Sequence, residues 1–129
     1  MADSELIDAI ENECIGLIYV SEIDAAVKPF AGPVTDVIVP ELIMGSSGNT
    51  NVEEGNFEEL CKRLATVREW HNEVQKERAK KFQKLFQLLQ ENLRQIKVYR
   101  IGRTRLDIYV LGLDESNRAV GVQTQAVET

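Results

Sequence analysis

Carboxylates are the commonest side chains in this chain that could do chemistry: among 129 residues there are 21 Asp and Glu against 15 Lys and Arg, one His and two Cys. Paired carboxylates can run acid–base chemistry, but they need partners to be placed against. His71 is the single histidine and directly follows the single tryptophan, so a histidine-based metal set or a Ser-His-Asp arrangement has one candidate member at most. It reads as a partly exposed helix residue. Cys14 and Cys61 belong to no CxxC or metal-ligand spacing. They fall on apolar helix faces, as two reduced core thiols would, with an interhelical disulfide as the alternative. Gly45 and Gly48 are followed by polar residues rather than by the Lys-Ser/Thr and helix of a phosphate-binding loop. The residues therefore assemble no catalytic constellation and call for no cofactor of the protein's own. Solvated surface charge is the expectation for most of the carboxylates.

Their distribution is uneven. Residues 1–60 contain 13 Asp/Glu and one Lys, while residues 61–129 contain 14 Lys/Arg and 8 Asp/Glu. An acidic surface built from the first half would repel nucleic acid and attract a basic cleft, and Lys76, Arg78, Lys80, Lys81 and Lys84 would give one helix a basic face. The alternative is that the two halves fold against each other and neutralise. The length suits one domain, 1–129, with a core that needs no disulfide or metal. The N-terminus lacks the basic start and apolar run of a secretory signal, and the apolar stretches are too short to span a bilayer, so a cytoplasmic protein without membrane contact is expected.

The elements that must carry these side chains follow from periodicity. Leu6, Ile7, Ile10, Cys14, Leu17 and Ile18 recur at helical spacing behind Ser4, a suitable N-cap, and predict a helix over 5–19, weakened in its last turn by Gly16. Pro29, Gly32 and Pro33 make 21–33 read as irregular. Val34 to Val39 fits a strand stopped by Pro40, and Gly45 to Gly55 a polar surface loop. A short helix with Phe57, Leu60, Cys61 and Leu64 on one stripe precedes a long helix from about Trp70 to Leu93, apolar at Ala79, Phe82, Leu85, Phe86 and Leu89. The rest is β: Val98 to Ile101, a turn near Gly102 and Arg103, Leu106 to Leu113, and a third strand from Ala119 to Val127 with Val120 and Val122 inward. Helices followed by three consecutive strands imply an α+β fold around an antiparallel sheet.

The stretch from Lys81 to Thr129, beginning KFQKLFQLLQ and ending GVQTQAVET, closely resembles the C-terminal half of the nuclease A inhibitor family. The likeness runs back to Trp70 without a gap and reappears at GLIYVSE, Gly16 to Glu22, but is not clear over residues 24–56. It implies an α-β-α sandwich and an inhibitor that plugs the active site of a metal-dependent, non-specific DNA/RNA nuclease. Such a protein is not an enzyme and does not bind nucleic acid directly.

By this resemblance Glu22 corresponds to the family glutamate that reaches the nuclease's metal, and Thr129 to the C-terminal threonine whose carboxylate approaches it. Any metal contact would thus be to the partner's ion. Glu69 and Trp70 match an acidic-aromatic docking pair, with Glu69 one methylene longer than the family's aspartate. Asn12 stands where the family carries a longer amide. Two other functions fit the residues without the resemblance: an interaction domain of the same fold with a non-nuclease partner, and a small-molecule-binding protein using a pocket beside the sheet.

Overall fold

Alternation along the last third of the chain builds the sheet, and the helices cover it. The computed structural model describes residues 3–20, 23–35 and 52–127. Their order is α1 (Asp3–Cys14), β1 (Ile18–Val20), β2 (Asp24–Ala26), β3 (Lys28–Val34), β4 (Val52–Gly55), α2 (Phe57–Ala65), α3 (Glu73–Asn92), β5 (Arg94–Gly102), β6 (Arg105–Leu113) and β7 (Arg118–Val127). Five strands form an antiparallel sheet in the order β3-β7-β6-β5-β4, and β1 and β2 pair as a separate two-stranded sheet. The fold is α+β, as expected.

Each face of the large sheet carries a buried apolar cluster. Leu106, Ile108 and Val110 of β6, with Val98, Val120 and Val122, join Leu6, Ile10 and Cys14 of α1 and Phe82, Leu85, Phe86 and Leu89 of α3 in one core. The alternate residues point the other way, where Tyr99, Leu111, Leu113 and Ala119 form a second buried cluster with Phe30, Val52 and Tyr109 against it. A buried cluster on each face of one sheet is consistent with a sandwich. Helix α2 has no fully buried residue. It attaches through half-buried Phe57, Leu60, Cys61 and Leu64, with Phe57 edge-on to Phe86 at 5.5 Å.

Two sequence expectations are corrected, and two more are met by the described residues only in part. The first helix stops at Cys14 instead of continuing to residue 19, because Gly16 takes a left-handed conformation (φ 70) and the Leu17 amide turns back to the Cys14 carbonyl at 3.0 Å. Leu17 is still buried and Ile18 half-buried, so the apolar periodicity outlasted the helix that it was read to describe. The irregular stretch 21–33 contains β2 and most of β3. Prolines 29 and 33 are tolerated there because β3 is an edge strand whose register slips between Ala31 and Val34. Of the strand expected over 34–39, Val34 ends β3 and positions 36–39 lie outside the described residues. Of the loop expected over 45–55, Val52–Gly55 is strand β4 on β5, and 45–51 lie outside the described residues.

The long helix begins at Glu73, three residues after Trp70. Its start is set by a capping box: the Asn72 side chain accepts from the Gln75 amide at 2.8 Å, and the Gln75 side chain accepts from the Asn72 amide at 2.9 Å.

Candidate functional site

Seven large apolar side chains among the described residues are exposed, and six of them sit on three neighbouring segments: Ile15 after α1, Val20 and Ile23 at the β1–β2 hairpin, and Val67, Trp70 and Val74 at the entry to α3. Exposed apolar side chains grouped this way mark an interaction surface more than scattered ones do.

The entry to α3 is a locked turn. The His71 amide donates to the Arg68 carbonyl at 3.1 Å, and the Arg68 amide donates to His71 Nδ1 at 3.1 Å. With the capping box directly behind it, this turn holds Glu69 and Trp70 outward. Trp70 is 73% exposed, its ring edge-on to His71 at 4.4 Å. That exposure excludes a core role for the tryptophan.

Across from it stands the α1–β1 turn. Asn12 is exposed on the last turn of α1, and its carbonyl accepts from the Ile15 amide at 3.3 Å. The Ile15 carbonyl in turn accepts from Lys81 Nζ of α3 at 3.1 Å. Between turn and helix runs an open groove of about 390 Å³, lined by Gly16, Leu17 and Ile18 on one side and Glu73, Val74, Glu77, Arg78 and Lys81 on the other. The groove thus runs between the turn that follows Asn12 and the first turns of the helix that follows Trp70.

Glu22 and Thr129 lie outside the described residues, and the structure does not test their expected roles. Their described neighbours share one end of the sheet. Lys28 pairs with Gln123 and Val34 with Arg118, so stepping back from β3 to β2 follows β7 towards its C-terminal end. Thr124 Oγ1 donates to the Ala26 carbonyl at 3.1 Å along this path. Asp24, its partner Val20, and Val127 therefore lie towards the same end.

The face is acidic along α1, where Glu5, Asp8 and Glu11 are exposed, and Asp24, Glu69, Glu73 and Glu77 are exposed around the hairpin and groove. Between the acidic and basic halves of the chain, the described residues contain the pair Lys97–Glu54 at 3.4 Å, itself well solvated. Both cysteines are free thiols. Burial, with Glu13 and Glu11 nearby, pushes the Cys14 thiol up to about 11. Burial and Glu58 raise that of Cys61. Raised thiols are poor nucleophiles, so they belong to the packing and not to a reactive site.

The sequence reading missed Ile15, Val20, Ile23, Val67 and Val74. A signal was present for one of them: Ile15 stands off the Leu6–Ile10–Cys14 stripe, and an apolar residue on the wrong side of an amphipathic pattern needs another reason to be there.

In comparison with known proteins, a family model described as nuclease A inhibitor-like protein matches residues 4–129. The match passes through residues 24–56, where the sequence reading found no clear likeness. No curated protein matches the chain. Among the described residues, no helix is long and apolar enough to cross a membrane.

Proposed function

Because the chain belongs to the nuclease A inhibitor-like family, we propose that it blocks the active site of a metal-dependent, sugar-non-specific DNA/RNA nuclease by presenting carboxylates where the scissile phosphate would sit. The observation that carries the reading is the exposed Trp70, set in a hydrogen-bonded turn at the entry to α3.

A nuclease of this kind offers a basic cleft and a divalent cation with open coordination positions for phosphate and water. Carboxylates are hard oxygen ligands that carry the sign of phosphate. They contain no phosphodiester bond to cleave, so an inhibitor that uses them is not consumed. Glu22 is the first such group in this proposal and the carboxylate at Thr129 the second. The ion belongs to the nuclease and the inhibitor contributes no cofactor. Trp70 anchors the rim, with Glu69 and Asn12 beside it, and the apolar side chains Ile15, Val20, Ile23 and Val74 exclude water around that centre. An acidic α1 favours approach to a basic cleft and disfavours contact with the nucleic acid itself.

The test is inhibition of DNA digestion by a panel of non-specific metal nucleases, with Glu22→Gln and a chain extended by two glycines after Thr129. Each change should weaken inhibition and leave the fold intact, and the two effects should not add, since both groups address one metal. A double variant as potent as the unmodified protein would exclude carboxylate mimicry. Tight binding of a non-nuclease protein at the Trp70 face, with no inhibition of any nuclease, would convert the reading into that of an interaction domain.

A further inference from the structure

We propose that Arg63 and Lys81 are positioning residues, which hold the segment Ile15–Val20 at its two ends and so pre-organise the docking face; this rests on the inhibitor reading above. Leu17 and Tyr19 of the segment are buried in the core and the Val27 amide donates to the Leu17 carbonyl at 3.0 Å, but its own ladder is short. Strand β1 is three residues long and pairs with the equally short β2, apart from the large sheet, and an isolated two-stranded ribbon is marginal in water. The preceding turn passes through Gly16 at positive φ, where the backbone has the widest choice of conformation.

Side chains from the helices supply what the ladder lacks. At one end, Arg63 in the last turn of α2 donates from Nη2 to Tyr19 Oη at 2.7 Å, joining residues 44 apart in sequence. Its guanidinium carbon lies 5.8 Å from the centre of the Tyr19 ring, and Tyr19 is itself buried. Tyr19 stands three residues before Glu22. At the other end, Lys81 Nζ donates to the Ile15 carbonyl. Helix α1 has no basic residue in its last turn, so a cation that its carbonyl end favours arrives from α3 instead. Both contacts end on this segment, one on the Tyr19 side chain and one on the Ile15 backbone, so the two residues would act through the segment that they fix.

Pre-organisation of this kind enters the affinity because a loose segment has to be ordered on binding. Tyr19→Phe removes one hydroxyl and Arg63→Met the donor. Each should raise the inhibition constant about tenfold, the pair together should do no worse than either alone, and Arg63→Lys should recover part of the loss. Lys81→Met should act in the same direction. In a Glu22→Gln background the Tyr19→Phe penalty should vanish, whereas a merely structural role would give the same penalty in both backgrounds and overturn the proposal.

Amide hydrogen exchange in the free protein decides the anchoring without any nuclease: the amides of β1 and β2 should exchange faster in Tyr19→Phe and Lys81→Met while those of β6 and β7 stay protected. Unchanged exchange in β1 and β2 would overturn the proposal. If instead exchange rises as expected but Glu22→Gln inhibits like the unmodified protein, the anchoring stands and the carboxylate reading fails.

Discussion

Replacing Trp70 with alanine separates docking from folding more cleanly than any other single change. The side chain is 73% exposed in the free protein. A tryptophan can bury up to roughly 250 Å², so roughly 180 Å² remains available to a partner. At ~25 cal/mol per Å² that area corresponds to ~4.5 kcal/mol if wholly buried, an upper bound because alanine keeps part of the surface and the ring must be ordered. About 2–3 kcal/mol should appear in the complex, or roughly 30- to 150-fold in the inhibition constant. The folded state loses chiefly the edge-on contact with His71. An aromatic pair of that kind is worth about 1 kcal/mol, which should move the melting temperature by less than about 5 °C. The assay is nuclease inhibition titrated at fixed enzyme, paired with thermal unfolding of the same samples. Retained inhibition together with a large drop in melting temperature would refute the reasoning and return Trp70 to a structural role.

Association should be electrostatically steered by the exposed acids of α1 and the hairpin, so stopped-flow on-rates should fall as salt rises to physiological strength while off-rates change little. On-rates flat across that range would remove the acidic face from the mechanism. Gly16→Ala places a side chain at φ 70, with its Cβ 3.2 Å from Lys81 Nζ, and should lower unfolding free energy in urea by about 1–2 kcal/mol. Little change would mean that the α1–β1 turn relaxes freely. Stability should also fall as pH climbs from 9 towards about 11, because folded Cys14 keeps its proton up to about 11 while the unfolded thiol releases it from its ordinary 9.0. The unfolded state then binds fewer protons, and the loss should approach about 1.4 kcal/mol per pH unit. Cys14→Ala should flatten the slope seen in denaturation at pH 8, 9.5 and 10.5.

The sequence by itself determined the long-range plan wherever one physical signal dominated. Strands β6 and β7 were legible because a strand with two different faces alternates, and helix α3 because its stripe runs unbroken from Ala79 to Leu89. The type of the fold followed, and the resemblance named the positions expected to dock. Periodicity reports burial and not backbone, however, which is why Leu17 and Ile18 read as helix when the chain had already left it at Gly16. The prolines of β3 are compatible with a strand only at a sheet edge, and which strand lies at an edge is a property of the assembled sheet. Whether Trp70 is core or anchor was undecidable from a chain in which it could belong to the helix stripe. The turn Arg68–His71 and the capping box that starts α3 after it exclude the core by leaving Trp70 exposed. The same holds for the groove: Gly16 to Ile18 and Glu73 to Lys81 are far apart in the sequence, and only packing α1 and α3 against one core sets them on its two sides.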